Sequence, residues 1–169
     1  MRNQAQEARA DLPVQKQELK TRYIEALTLI ERLHRRLLDV VKDEFERGGD
    51  PDVNAVQALL LFNIGDSELT AGELKTRGHY QGSNVSYNLK KLVEQGYVRH
   101  ERSHADKRSV RVSLTPKGHE IRAKVDHLYN RQLGSIAEVV GLSTDEFERL
   151  NRALTRLERF WTDQILYRL

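Results

Sequence analysis

Hydrophobic residues recur at helical spacing in the first third of the chain. From about residue 15 to residue 47, an apolar stripe that includes Ile24 and Phe45 returns every three or four positions, which is the period of one helix face. This pattern predicts a long first helix preceded by a polar arm, and Gly48-Gly49-Asp50-Pro51 predicts its end. A second helix is predicted at about 53–64, and the apolar run from Val56 to Phe62 predicts that it forms the buried centre of the fold.

Two shorter helices are predicted next. Thr70 and Glu73 have the spacing of a capping box, and the helix that they open is interrupted at Gly78. A further helix begins at Gly82-Ser83 and runs to about residue 95, with apolar residues on one side and hydrogen-bonding residues on another. Two helices joined by a short glycine-containing turn, the second of them amphipathic in this way, are typical of a helix-turn-helix.

A basic β-hairpin is predicted after these helices. Residues 97–102 and 110–114 alternate apolar and polar side chains around a polar loop, as strands do. Thr115-Pro116 then begins a helix that ends near Gly141, and a capping box at Ser143 and Glu146 begins the last one. The predicted order is α-α-(β)-α-α-β-β-α-α, a mainly α winged helix-turn-helix with a small β-hairpin wing, in one unit of residues 1–169.

The net charge of +3 is unevenly distributed along the 169 residues. Twelve basic and four acidic residues lie between Lys75 and Lys124, a net charge of +8, whereas the remainder carries a net charge of −5. Clustered lysine and arginine neutralise phosphates and release counterions, so the basic middle favours a polyanionic partner. A solvated basic face without a partner accounts equally well for the charge alone.

The second helix of a helix-turn-helix enters the major groove of double-stranded DNA. Asparagine suits adenine, serine and tyrosine reach bases or phosphates, and lysine suits phosphates. The predicted DNA-binding residues of this helix and of the hairpin are Ser83, Asn84, Ser86, Tyr87, Asn88, Lys90, Lys91, Arg102, Lys107, Arg108 and Arg111. The alternative is that Tyr87 only covers a neighbouring helix and that Asn84 and Asn88 are merely solvated.

The tip of the hairpin combines one acidic residue with several basic residues. A guanidinium group is planar and less strongly hydrated than an ammonium group, so Arg108 suits a narrow A·T minor groove. Phosphates would repel Asp106, which we expect to pair with Arg108 or a nearby arginine and to orient it. An ordinary solvated turn, with Asp106 as a turn former, is the alternative.

Several classes of protein are excluded by what the sequence lacks. It has no cysteine, which removes disulfides and thiolate chemistry. It has no motif of a phosphate-binding loop, a zinc protease or a hydrolase, and its six histidines form no metal-binding pattern. We therefore expect no enzyme activity, no metal and no cofactor. No apolar run approaches the roughly 18 residues of a membrane span, and the polar start is no secretory signal, so we expect a cytoplasmic protein without membrane contact.

Motifs at fixed spacing make the chain resemble the MarR transcriptional regulators. Leu69-Thr70 is followed by Glu73-Leu74 and by Ser83, and later come Leu92, Gly96-Tyr97-Val98, Asp106-Lys107-Arg108 and Leu114-Thr115-Pro116-Lys117-Gly118. The Asp-Lys-Arg tip followed by Leu-Thr-Pro-Lys-Gly is the specific part. The resemblance covers essentially the whole chain and extends to the LdtR-like branch, named for control of L,D-transpeptidase genes.

The resemblance implies an intertwined homodimer. Residues 1–50 and 119–169 would supply the dimerisation helices, and residues 51–118 the winged-helix lobe that reads half of a pseudo-palindromic operator. It also implies a cleft in which a small aromatic or anionic effector weakens DNA binding. Thr28, Arg32, Leu61 and Tyr129 are candidate ligand-binding residues because they lie on helices expected to border that cleft, although an apolar residue there is more often part of the core.

Dimerisation also has support from the residues themselves. The last helix is apolar up to the carboxyl terminus, where chains usually fray, so it needs a cover. A second subunit is the simplest cover, and a tail folded back onto its own first helix is the alternative. The predicted interface residues are Leu12, Tyr23, Leu154, Leu157, Trp161, Ile165 and Leu166.

The function predicted from the sequence is a sequence-specific DNA-binding transcriptional regulator, a repressor whose DNA affinity is lowered by a small ligand. Two alternatives are an architectural DNA-binding protein without an effector and an adaptor whose wing binds an acidic protein partner.

Overall fold

The computed structural model describes residues 2–49, 52–66, 69–70, 73, 82–102 and 110–167, with the side chains of residues 2–14, 70, 82–85, 102 and 110 outside that description. The chain divides into two compact units, Met1–Val125 and Asp126–Leu169. The elements are α1 (Arg2–Arg47), α2 (Ala55–Ile64), β1 (Leu69–Thr70), α3 (Gly82–Glu94), β2 (Val98–Arg102), β3 (Val110–Leu114), α4 (Pro116–Ser135), a π-helical turn (Ile136–Val140) and α5 (Thr144–Tyr167).

The first helix is longer than the apolar stripe indicates. It begins at Arg2, so the prediction of a polar arm before residue 15 was wrong. Residues 2–11 are rich in alanine, glutamine and arginine, which favour helix without forming an apolar face. Among the described side chains of α1, burial is confined to the carboxyl-terminal part: Val41 and Phe45 are at most 3 % exposed, whereas Leu33 is 65 % exposed.

The second helix lies in the core, as its apolar run predicts. Asn54 caps it, because its Oδ1 accepts the Gln57 N–H at 2.9 Å and the Gln57 Oε1 accepts the Asn54 N–H at 3.1 Å. Leu60 and Leu61 are at most 1 % exposed. Val56 was predicted to lie in the buried centre, but it is 37 % exposed because it lies on the solvent side of the first turn.

The wing belongs to a three-stranded antiparallel sheet in the order β1-β3-β2. Val98 pairs with Leu114 and Arg102 with Val110, which confirms the predicted hairpin. Val112 and Leu114 are buried and Arg111 is exposed, so the predicted alternation is also confirmed. The loop 103–109 lies outside the described residues, as does the helix expected after Thr70 except for its residue 73.

The second unit contains the end of α4, the π-helical turn and α5. The turn ends at Gly141, whose φ of 70° is a left-handed conformation that glycine adopts without strain. The predicted capping box is present: the Ser143 N–H donates to Glu146 Oε2 at 2.8 Å and the Glu146 N–H donates to Ser143 Oγ at 3.3 Å. None of the residues of α5 is buried.

Candidate nucleic-acid interface

The helix predicted to read DNA, α3, ends in a Schellman motif. Gly96 has a φ of 76°, the Gly96 N–H donates to the Val93 carbonyl at 3.0 Å and the Tyr97 N–H donates to the Leu92 carbonyl at 2.9 Å. Leu92 is fully buried and Leu89 is 7 % exposed, so this side of α3 packs into the core. The opposite side of the helix therefore faces solvent.

The solvent side of α3 carries the predicted contact residues whose side chains are described. Tyr87 is 62 % exposed, and Ser86, Lys90 and Lys91 are also exposed. The Lys91 Nζ lies 5.9 Å from the centroid of the Tyr87 ring, which keeps a cation beside an aromatic group. The Lys90 Nζ lies 3.8 Å from Glu94, but exposed ion pairs of this kind contribute little, so a phosphate can replace the carboxylate.

Asn88 lies at the border between the buried and exposed sides of α3. It is half-buried. Together with Tyr87 it lines a groove of about 700 Å³ whose other walls come from the end of α1 and the start of α2, including Phe45 and Val56. Tyr87 therefore lines a groove against neighbouring helices and is still exposed enough to contact DNA.

The described side chains on the solvent side of the wing carry charges of both signs. Arg111 of β3 is exposed and stands opposite Glu101 of β2. Arg102 pairs with Val110 at the end of the hairpin, next to the loop. The tip residues Asp106, Lys107 and Arg108 lie outside the described residues, as do the side chains of Ser83, Asn84 and Arg102.

The candidate effector residues lie on α1, α2 and α4. Leu61 is 0 % exposed and belongs to the core of the first unit, so its role in ligand binding stays a prediction. Thr28 donates its hydroxyl to the Ile24 carbonyl of its own helix at 3.0 Å. Arg32 lines a groove of about 520 Å³ along α1. Tyr129 is half-buried in the second unit.

The predicted dimer residues whose side chains are described are exposed or half-buried. Tyr23 of α1 is 37 % exposed, and on α5 Leu154, Trp161 and Ile165 are 38 %, 36 % and 77 % exposed. Leu157 is half-buried and Leu166 is exposed, whereas the side chain of Leu12 is not described. Their spacing of three or four residues along α5 places most of these apolar residues on one helix face.

Two residues that bond to the end of α3 were not among the predicted site residues. Thr115 Oγ1 donates to the Gly96 carbonyl at 2.7 Å, and Lys117 Nζ donates to the Gln95 carbonyl at 3.1 Å. Lys117 Nζ also lies 4.1 Å from the centroid of the Tyr97 ring. The Leu-Thr-Pro-Lys-Gly motif was the available signal, but it indicated only the start of α4 and the family resemblance.

Neither a membrane helix nor a metal site is present in the part of the chain that the structure describes. No helix there is long and apolar enough to cross a membrane. No group of three or more histidine, cysteine or acidic residues is placed there to hold a metal ion.

Comparison with known proteins identifies the family. Residues 53–118 match the family model of a winged helix DNA-binding domain. The exopolysaccharide II synthesis transcriptional activator ExpG of Rhizobium meliloti (strain 1021) is 37 % identical over 150 residues, which cover 86 % of this chain and 74 % of ExpG. The chain belongs to the MarR family.

Solved MarR-type structures share the fold. A mutant MarR from E. coli complexed with operator DNA has a TM-score of 0.64 and 24 % identity, covering 80 % of this chain and 94 % of that one. BpsR of Bordetella bronchiseptica has a TM-score of 0.62 and 18 % identity, covering 79 % and 98 %. This MarR-family member is thus a DNA-binding transcriptional regulator, and its relatives are regulators rather than enzymes. The narrower likeness to the LdtR-like branch stays a prediction.

Proposed function

We propose that this MarR-family protein is a homodimeric repressor that reads a pseudo-palindromic operator and is released by a small aromatic or anionic ligand. The observation that carries the proposal is the solvent side of α3, where Tyr87, Lys90 and Lys91 are exposed opposite a buried apolar side. Residues 51–118 would form the DNA-reading lobe, and residues 1–50 and 119–169 the dimerisation region, in the cytoplasm.

Base reading is assigned to α3 and groove insertion to the wing. Asn84 and Asn88 would meet base edges, with Ser83, Ser86 and Tyr87 beside them and Lys90 and Lys91 on phosphates. Arg102, Lys107, Arg108 and Arg111 would give the wing its charge, and Asp106 would orient the tip.

Dimerisation is supported by the uncovered apolar face of α5. Ile165 and Leu166 are 77 % and 66 % exposed, and monomeric proteins rarely leave contiguous apolar surface in water. A two-fold partner presenting the same face would remove these side chains from water and place two recognition helices on one duplex.

The ligand response is supported by the relative BpsR, whose structure concerns regulation of DNA binding by 6-hydroxynicotinic acid, a small aromatic acid. Arg32, which lines a groove on α1, supplies a cation suited to a carboxylate. Thr28 lies one turn before it, and Tyr129 of the second unit remains a candidate. A ligand can release DNA only if it binds the two states of the dimer with different affinity.

Activation is a second candidate, because the relative ExpG is a transcriptional activator. Transcription in vitro from a template that carries the selected operator beside a promoter distinguishes repression from activation. Added protein that lowers transcript yield supports repression, and added protein that raises it supports activation.

The contact assignment is tested with a duplex selected by the wild-type protein from a random pool. Arg108→Ala should weaken binding while the dimer stays intact, because the guanidinium that enters the minor groove is lost. Fluorescence anisotropy measures the affinity and sedimentation the oligomeric state. Unchanged affinity would remove Arg108 from the interface.

A further inference from the structure

The end of the recognition helix is hydrogen-bonded to the start of α4 through three successive carbonyl groups. The Schellman motif of α3 uses the amide groups of Gly96 and Tyr97. The carbonyls of Gln95, Gly96 and Tyr97 accept from Lys117 Nζ at 3.1 Å, from Thr115 Oγ1 at 2.7 Å and from the Thr115 N–H at 3.1 Å. We call residues 95–97, 115, 117 and 118 the α3–α4 clamp.

The hydroxyl of Thr115 serves both helices. It donates to the Gly96 carbonyl at the end of α3 and accepts the Gly118 N–H at 3.1 Å in the first turn of α4. A single oxygen therefore joins the carboxyl-terminal cap of one helix to the amino-terminal cap of the next. Its removal leaves an acceptor at the end of α3 and a donor at the start of α4 without this partner.

Lys117 adds charge to the same junction. Its ammonium group donates to the Gln95 carbonyl while lying 4.1 Å from the centroid of the Tyr97 ring. A cation beside the carboxyl terminus of a helix interacts favourably with the helix dipole, and the ring attracts it further. The long side chain is thereby held at the junction.

Gly118 leaves no space between the two elements. A Cβ at this position would lie 2.2 Å from the Tyr97 carbonyl oxygen, and Tyr97 is only 4 % exposed. Close backbone packing and the three hydrogen bonds that Thr115 and Lys117 donate to residues 95–97 together oppose sliding of α4 along the end of α3. A movement of the start of α4 must therefore move α3 or break the clamp.

The helix that enters the clamp extends into both units of the chain. It is continuous from Pro116 to Ser135, whereas the division between the units falls after Val125. We propose that Thr115 and Lys117 are positioning residues that set the orientation of the recognition helix from α4, so that base selectivity depends on the clamp. The inference rests on the proposed reading of bases by α3.

The first test is a pair of substitutions at Thr115. Thr115→Val keeps the shape of the side chain and removes the hydroxyl, whereas Thr115→Ser keeps the hydroxyl. Anisotropy gives the ratio of affinities for the duplex selected by the wild-type protein and for a scrambled duplex. Thr115→Val should lower this ratio by about tenfold, the size of one base contact, and Thr115→Ser should restore it to within about twofold.

A matched control lies on α5. The Thr155 hydroxyl donates only to the Asn151 carbonyl of its own helix, at 2.8 Å, so Thr155→Val should leave the ratio unchanged. Lys117→Met should lower the ratio as Thr115→Val does, and Lys117 is exposed, so this variant should fold. A clamp that only stabilises the fold would lower the melting temperature and leave the ratio unchanged for both Thr115→Val and Lys117→Met, which would overturn the proposal.

Hydrogen exchange separates failure of the clamp from failure of the proposed function. In the absence of DNA, the amides of residues 91–97 should exchange faster in Thr115→Val and Lys117→Met than in the wild type. Unchanged exchange in both variants would contradict the clamp whatever the DNA results. If the wild-type protein selects no duplex while the two variants exchange faster than the wild type, the proposed base reading fails and only the α3–α4 clamp is supported.

Discussion

Asn88 illustrates how the position of one side chain on a helix limits what it can contact. The sequence placed it with Asn84, Tyr87 and Lys91 on a hydrogen-bonding face, but it is half-buried and lines the groove against α1 and α2. Tyr87 and Lys91 lie on the solvent side of α3 and are exposed. Hydrophobic periodicity separated the two sides of α3 correctly but did not resolve the residue at their border.

Asn88→Ala tests whether this border residue reads a base. The variant should lose about 1–3 kcal/mol of discrimination at one position of the operator, because one base edge loses its partner. Binding to a set of single-base operator variants measures this, with Asn151→Ala on α5 as the control. An equal loss of affinity for all duplexes would show that Asn88 supports the packing of α3 against α1 and α2 and does not contact a base.

Glu146 should make the start of α5 sensitive to acid. Hydrogen bonds from the Ser143 backbone and from the Ser143 side chain lower the pKa of Glu146 below its usual value of 4.5. A lowered folded-state pKa means that the stabilisation is present above pH 4.5 and is lost as the pH falls through the folded pKa. Thermal melts between about pH 7 and about pH 3 should show this loss in the wild type.

Glu146→Gln is the variant that isolates the carboxylate. Its amide oxygen can still accept from Ser143 but does not titrate, so the melting temperature of the variant should fall less than that of the wild type over the acid range. Parallel acid profiles for the two proteins would show that the capping box is not the titrating element.

At the level of elements, local signals predicted where helices begin and end. Gly96 and Gly141 end their elements with φ values of 76° and 70°, and Ser143 with Glu146 begins α5 as expected. The start of α1 was missed because helix propensity without an apolar stripe leaves no periodic pattern. The contacts between elements were also missed: Arg122 pairs with Asp66 at 2.7 Å across 56 residues, and no spacing rule predicts such a pair.

Gly118→Ala and Gly134→Ala are the same substitution in the same helix with opposite expected effects. At Gly118 the new Cβ would meet the Tyr97 carbonyl, so stability should fall by about 1–3 kcal/mol. At Gly134 nothing lies within 4 Å, so better helix propensity should raise stability by about 0.5–1 kcal/mol. Urea unfolding measures both. Equal effects of the two substitutions would contradict the close approach at Gly118.

Among the described residues, the two units differ in how much apolar surface they bury. The first unit has a core that includes Val41, Leu61 and Val112, all 0 % exposed, but α5 in the second unit has no buried residue. The sequence predicted this need for a cover from apolar residues near the carboxyl terminus. It did not predict which residues of α1 stay exposed, because exposure there depends on where the core of the first unit ends.

Leu154→Glu should weaken the dimer by placing a charge in its apolar interface. The dissociation constant of the dimer should rise by at least about a hundredfold, because an unpaired carboxylate is costly to bury. Thr155→Glu is the control, since Thr155 lies in the groove that Arg149 and Arg152 line on another face of α5. Sedimentation equilibrium over a concentration series measures the dissociation constants of both variants. Equal constants for Leu154→Glu and Thr155→Glu would place the dimer interface elsewhere.

The salt dependence of binding to a selected duplex shows whether two copies of this protein bind double-stranded DNA through α3 and the wing. Fluorescence anisotropy combined with sedimentation should show two chains on each duplex, a marked preference over a scrambled duplex, and affinity that falls steeply as salt increases, because α3 and the wing displace counterions from phosphates. A protein that remains monomeric and binds no duplex even at low ionic strength would contradict the account.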